Sequence, residues 1–342
     1  MPVEEVRDNA EPAFPWTRAD WLARANAWIA ERLRERSITP VGEVEQPHVR
    51  WWSTVLRIRT DEGDLFFKAV AAPHAFEAPL TALLAREAPG DVPAVVAVDE
   101  DRAWMLFRDG GTRLRELLSS PADLGHWERL LPRYAELQMR IAPRLDDLLS
   151  LGVPDQRLAT LEGDLARVIE ERDLLLSGPE GLTPDEYARA RASIPLVAEL
   201  CSRLSAFGFP ETLQHDDFHD GNVFVDGEAY RFFDWGDSCI SHPFHTLVVT
   251  LRSVAYRFGL EPGSATLLRL RDAYLEPWRR HASPAELHDA FELAYRTGTI
   301  ARTLAWHRYV TARGDAAAGD DSGAIAYGLR LFLADGGIGA FR

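Results

Sequence analysis

Lys68 is the only lysine of the chain; every other member of its 38 basic residues is arginine. It stands in DLFFKAV, an apolar run with the length of a buried strand. Lysine presents a compact charge on a flexible stem, whereas arginine presents a planar fork. One ammonium on a strand suits the holding of nucleotide phosphates, although a lysine also snorkels at strand ends. A second constellation lies in LQHDDFHDGNVFVDGEAYRFFDWGD, residues 213–237. There His215, Asp217 and Asn222 are spaced as His-x-Asp-x-x-x-x-Asn. An apolar strand follows, then a turn at Asp226-Gly227, then a second strand ending at Asp234-Trp235-Gly236. Asp217 can orient a hydroxyl and accept its proton. Asn222 and Asp234 offer the oxygen ligands that hard Mg²⁺ prefers beside phosphate oxygens. A solvated acidic loop would explain the polarity, but not the order Lys, His-x-Asp, Asn, Asp-x-Gly.

These residues resemble the aminoglycoside phosphotransferase and choline kinase group of small-molecule kinases, whose fold is similar to that of protein kinases. The group's pattern His-Gly-Asp-x-His-x-Gly-Asn corresponds to HDDFHDGN here, His215 to Asn222, with Asp216 at the glycine and Asp220 where proline is frequent. The resemblance implies an α+β, bilobal fold with a small β-rich N-lobe and a larger, mostly helical C-lobe. It implies Asp217 as catalytic base, Asn222 and Asp234 as magnesium ligands and Lys68 on the phosphates. It also implies ATP as donor, with GTP as the alternative, and a small-molecule hydroxyl as acceptor. Glu77, opening a helix behind the lysine strand, is the expected partner of Lys68; Glu87, near that helix's end, reads as a surface residue. No Gly-x-Gly-x-x-Gly lies between Val41 and Ile58. In HVRWWSTV, Ser53 and Thr54 either offer hydroxyls and N–H groups to phosphate or merely turn one strand into the next. Adenine is expected on the backbone of Met105, Phe107 and Arg108. The family often places Gly-Asp-Pro-x-x-Asp-Leu after the magnesium strand. Here SHPFHTL puts His242 and Thr246 in the two aspartate places. His242 and His245 read as cap or packing residues, His219 as a hydrogen-bonding loop residue, and Asp220, Asp226 and Asp237 as turn residues. The Asp216 side chain is expected to point away from the chemistry.

Positioning these groups requires an ordered set of elements. Trp21, Leu22, Ala25, Trp28, Ile29 and Leu33 recur at helical spacing, with Thr17 or Asp20 as caps. Three strands follow, the first interrupted by Pro47, with a turn at Asp61–Asp64. A helix and a two-stranded hairpin complete a β-β-β-α-β-β order, the small lobe of a kinase-like fold. After a Gly110-Gly111 break, expected to hinge, the chain reads as mostly helical. Thr183, Pro184 and Glu186 mark a helix start, and GDAAAGDD, residues 314–321, reads as a loop. Residues 1–108 are expected to form the N-terminal helix and nucleotide-binding lobe, and 109–342 the catalytic and substrate-binding lobe.

With 342 residues, 46% hydrophobic and 27% charged, the chain is long enough for two such lobes. A net charge of −15 argues against nucleic acid as partner and is compatible with a cationic acceptor, such as an amine-bearing antibiotic. Sugars and amino alcohols are the other acceptor classes. No apolar run is long enough to span a bilayer, and the acidic N-terminus does not read as a targeting segment. Two cysteines, Cys201 and Cys239, form no metal spacing or disulfide framework, so a reduced cytoplasm is the expected location. The rival readings are a protein kinase and a non-catalytic nucleotide-binding relative. Against the first, WGDSCISHPF runs from Asp234 straight toward a helix, with no long activation segment and no Ala-Pro-Glu. Against the second, all four chemical residues are present.

Overall fold

A computed structural model describes residues 14–313 and 323–334, so the loop expected at 314–321 lies outside the described residues. The chain divides into two compact units, one of residues up to Ala78 with Ala94–Asp109, the other of Pro79–Pro93 with Gly110 onward.

The smaller unit is built on an antiparallel sheet of β1 (Glu45–Val49), β2 (Ser53–Thr60), β3 (Gly63–Val70), β4 (Val95–Asp99) and β5 (Trp104–Arg108). Their order is β1-β2-β3-β5-β4. Pro47 does not break β1: it sits on the edge strand, where a missing N–H is tolerated, and the pairing shifts register between Glu45 and His48. The helix Ala19–Glu35 buries Trp21, Ala25, Trp28, Ile29 and Leu33. Trp21 and Trp28 meet Phe67 and Trp104 edge-on, with centroids 5.6–6.2 Å apart. Neither expected residue caps that helix. Thr17 Oγ1 donates back to Phe14 O at 2.8 Å, within the preceding turn, and Asp20 pairs with Arg18 and Arg24. This aromatic layer buries alternate β3 side chains such as Phe67, which leaves Phe66 and Lys68 on the other face.

The larger unit is mostly helical. Pro79–Pro93 clusters with it because the Phe232 N–H donates to Asp91 O at 2.7 Å and Asp91 pairs with Arg140 at 3.1 Å. Two small sheets flank the segments that carry His215, Asp217, Asn222 and Asp234. The first joins β6 (Thr112–Arg113), β8 (Val223–Asp226) and β9 (Ala229–Phe232); the second joins β7 (Thr212–Gln214) to β10 (Cys239–Ser241). The Gly110-Gly111 pair is a close crossing over β8. A Cβ on Gly110 would lie 2.3 Å from the Phe224 ring, and Gly111 has φ +109° with Val225 O 2.5 Å from where its Cβ would be. The 30-residue helix Pro284–Arg313 runs through this unit and is buried along most of its first 20 residues. Among the described residues, no helix is long and apolar enough to cross a membrane.

The helix Pro184–Ala192 opens with the expected capping box, and the Thr183 N–H donates to Glu186 at 2.8 Å. Arg330, from the helix Gly323–Leu333, donates to the same carboxylate at 2.8 Å. Arg330 first, then the Thr183 N–H, pull the Glu186 carboxyl down from its ordinary 4.5 to about 2. A depressed carboxyl contributes stability above its unfolded value, and that contribution is lost as pH falls through the folded one. We therefore predict that hydrogen-exchange protection of Pro184–Ala192 weakens between about pH 4.5 and 2. Glu186→Gln should flatten this step; an unchanged acid profile in the variant would refute the linkage.

Candidate active site

In the smaller unit, Lys68 Nζ donates to Glu77 Oε1 at 2.6 Å. Both side chains are largely buried, at 13% and 3% exposure, so the pair is shielded from the screening that weakens surface ion pairs. Glu77 opens the helix Glu77–Glu87, whereas Glu87 at its end pairs with Arg144 at 2.9 Å. Ser53 and Thr54 are buried and their hydroxyls are engaged within the hairpin. Ser53 Oγ lies 3.1 Å from His48 Nε2, and Thr54 Oγ1 donates to His48 O at 2.8 Å. Met105, Phe107 and Arg108 lie on β5, flanked by β3 on one side and β4 on the other. Arg108 N donates to Ala94 O at 2.9 Å, and its guanidinium pairs with Glu62. The expected backbone contacts to adenine therefore meet a difficulty: these strand groups face two sheet neighbours already. The first residues past the strand are Asp109–Gly111.

In the larger unit, the loop from His215 to Asn222 rests on buried aromatic rings. Tyr134 stacks on Phe218 with centroids 4.1 Å apart, and its hydroxyl accepts from the His215 N–H at 3.0 Å. His215 Nε2 lies 2.8 Å from Phe233 O, and the Phe233 N–H donates to Asn222 O at 3.2 Å, tying the loop to the segment that carries Asp234. Burial pushes the His215 pKa down, so the ring is neutral and Nε2–H is the donor. Thr246, at one of the family's aspartate places, donates to Gln214, while Thr250 Oγ1 donates to Phe218 O at 2.8 Å. The support is thus made of uncharged hydroxyls. His242 accepts from the Phe244 N–H as a cap. His245 lies between Ser241 Oγ at 2.7 Å and Thr297 Oγ1 at 2.9 Å, its pKa pushed down to about 3 by burial. Among the described residues, no group of three or more His, Cys, Asp or Glu is placed to hold a metal ion.

Asp217 is held from three sides. Arg302 Nη2 donates to Oδ1 at 3.0 Å; at Oδ2, His219 Nε2 lies at 3.2 Å and Asn222 Nδ2 at 3.3 Å. His219 Nδ1 accepts from the Gly221 N–H at 2.9 Å, which assigns the proton to Nε2 in the neutral ring. Burial works to raise the Asp217 pKa, but Arg302 and His219 outweigh it and hold the carboxyl well below the usual carboxylate range. Asn222 Nδ2 also donates to Asp217 O at 2.9 Å, so the amide turns its NH₂ toward Asp217 and leaves its oxygen for another partner. Asp234, just past β9, has φ +67°. Asp216 does not behave as a solvent-facing spacer. It has φ +61° and 3% side-chain exposure, and its carboxylate lies 3.6 Å from Arg302. Asp220 is likewise more than a turn residue: it is buried between Arg115 at 3.2 Å and Arg257 at 2.7 Å. Sequence reasoning missed Arg302, because one arginine among many, 85 positions from Asp217, carries no local signal.

Similar architectures occur in solved structures. An ethanolamine kinase of Plasmodium vivax has a TM-score of 0.60 at 14% identity, with 93% of this chain and 89% of that one covered. An aminoglycoside phosphotransferase in complex with ADP and hygromycin B gives 0.55 at 15%, covering 91% and 98%. An amicoumacin kinase in complex with AMP-PNP, Ca²⁺ and Ami gives 0.53 at 13%, covering 94% and 98%. No curated protein sequence matches the chain. The small antiparallel sheet followed by a helical unit is the α+β fold of the protein-kinase-like small-molecule kinases. A family model described as a phosphotransferase enzyme family matches residues 43–287, and the chain belongs to that family. It is a small-molecule phosphotransferase acting on hydroxyl groups.

Proposed function

We propose that this enzyme transfers the γ-phosphate of ATP, with Mg²⁺ as the divalent cation, to a hydroxyl of a small molecule. The observation that carries the reading is the Asp217–Asn222 pair: one carboxylate held in a single orientation beside an amide whose oxygen is turned elsewhere. The donor set fits a hard cation, since Asn222 and Asp234 bring an amide oxygen and a carboxylate on adjacent, hydrogen-bonded segments. Such an ion, when bound, would neutralise charge on the phosphate oxygens. Asp217 orients the acceptor hydroxyl and takes its proton. Lys68, oriented by Glu77, holds phosphate oxygens. With the hydroxyls of Ser53 and Thr54 engaged within the hairpin, the phosphate reading in this unit rests on Lys68. Adenine contacts from Met105, Phe107 and Arg108 would come through side chains, since β3 and β4 flank their backbone.

For the acceptor we infer a hydroxyl-bearing molecule that also carries an amine. The chain's net charge of −15 favours a cation, and two of the structural relatives are an ethanolamine kinase and a complex with hygromycin B. The test is ATP consumption against pooled aminoglycosides, amino alcohols, sugars and nucleoside antibiotics, with Lys68→Ala as control. Turnover with an amine-bearing pool, lost in Lys68→Ala, is the expected result. Turnover confined to neutral sugars would overturn the acceptor class, and full turnover in Lys68→Ala would overturn the phosphate role.

A further inference from the structure

We propose that Arg302 is a positioning residue for phosphoryl transfer, and that Asp216 is the counter-charge that keeps it in place. The proposal rests on the assignment of Asp217 as the base. Arg302 projects from the 30-residue helix Pro284–Arg313, a rigid support, and its side chain is 16% exposed. Its fork makes two different contacts. Nη1 donates to Asp216 O at 2.9 Å and Nη2 to Asp217 Oδ1 at 3.0 Å. One planar group therefore fixes both the backbone of the loop and the carboxylate it carries. A lysine, with a single ammonium, does not reproduce that geometry. The guanidinium also lies over the Trp306 ring, 5.1 Å from its centroid.

Asp216 completes the arrangement. Its backbone is left-handed, a conformation that glycine adopts without strain and that other residues adopt reluctantly. A carboxylate is nevertheless present, 3% exposed, with Oδ2 3.6 Å from Arg302 Nη1. Burying a lone guanidinium is costly, so two carboxylates around one cation account for Arg302 remaining beside the loop. With Arg302 on Oδ1 and with His219 and Asn222 at Oδ2, the Asp217 side chain is restricted to one rotamer. That matters because phosphoryl transfer depends chiefly on positioning, and a small misplacement of a reacting group costs about 10²-fold.

The test uses the full chain and two probes: hydrolysis of Mg-ATP by water, which needs no acceptor, and turnover of the best acceptor from the panel. Arg302→Ala should lower kcat by about 10²-fold with the KM for ATP unchanged, and millimolar guanidinium should restore part of the lost rate. Arg302→Lys should remain impaired. Asp216→Gly relieves the left-handed strain but removes one of the two carboxylates beside Arg302, so its Tm should stay near the parent's while kcat falls. Wild-type kcat in Arg302→Ala would overturn the proposal. So would a loss that guanidinium does not reverse in a variant whose Mg-ATP thermal shift is intact. If Arg302→Ala does not fold, the Arg302→Lys and Asp216→Gly variants decide: wild-type kcat in both overturns the proposal. Asp217→Asn is run in parallel. A silent Asp217→Asn means the base is misassigned, whereas an inactive Asp217→Asn beside a silent Arg302→Ala means only the role of Arg302 is wrong.

Discussion

Asp217→Asn is expected to lower turnover by roughly 10²- to 10⁴-fold while leaving ATP affinity near normal. That range corresponds to about 2.7–5.4 kcal/mol of transition-state stabilisation. The substitution keeps the shape and leaves Oδ1 to accept from Arg302, but its new NH₂ faces His219 and Asn222, which donate to Oδ2 in the parent, so an intact Mg-ATP thermal shift is the check that the loop stays in place. What is lost is the charge and the proton acceptor. A loose transition state leaves the protein mainly orienting and electrostatic work, and an asparagine amide can satisfy only part of either. Nucleotide affinity should be spared, because the proposed task of Asp217 concerns the acceptor hydroxyl. Asp216 is unsuitable as the neighbouring control, since its carboxylate is buried beside Arg302. Asp226 serves instead: it is 63% exposed and pairs with Arg231 at 3.0 Å. Steady-state kinetics of Asp217→Asn and Asp226→Asn decide the matter. Equal losses in the two would mean that the loop is not the site of chemistry.

Asp234→Asn should be more damaging still, with turnover falling by roughly 10³-fold or more, since charge neutralisation at a phosphoryl group is worth several kcal/mol. The left-handed backbone at Asp234 makes this a clean experiment. Asp234 has φ +67°, and asparagine is as tolerant of the left-handed region as aspartate. The variant should therefore keep its fold, and the loss reads on the carboxylate charge alone. The Mg²⁺-dependent part of the ATP-induced rise in Tm should vanish in Asp234→Asn. Asn222→Ala should instead shift turnover to higher Mg²⁺ concentration, because it removes a neutral ligand. Asp237→Asn should do far less than either. A metal requirement in Asp234→Asn equal to that of the parent, or a larger loss at Asp237, would remove Asp234 from the metal site.

Much of this molecule is local, and the local part is legible in the chain. Hydrophobic spacing places Trp21, Trp28 and Leu33 on one helix face, because a period of 3.6 allows nothing else. The capping box at Thr183 and Glu186 closes within three residues. The order of Lys68, His215, Asp217, Asn222 and Asp234, with a hairpin between the last two, carries the family resemblance, and residues 43–287 confirm the family. Those signals survive because each depends on neighbours within a few positions.

What required the tertiary structure is everything settled by partners far along the chain. Arg302 reaches Asp217 across 85 positions, and Tyr134 supports His215 across 81. A single arginine or tyrosine has no spacing that announces such a contact. The same holds for Asp216. Sequence shows only that a glycine is missing; the fold turns its carboxylate inward, because the left-handed backbone aims the side chain at a buried cation. Ser53 and Thr54 read equally well as phosphate donors or strand residues until their hydroxyls are seen bonded to His48. Met105, Phe107 and Arg108 read as a hairpin strand with backbone groups for adenine until β3 and β4 are seen to flank it on both sides. Residue type and spacing by themselves determined which chemistry this protein can perform. Packing decided how each oxygen of Asp217 is held, by what, and with how much charge beside it, because those depend on distance in space and on burial, neither of which a linear chain encodes locally.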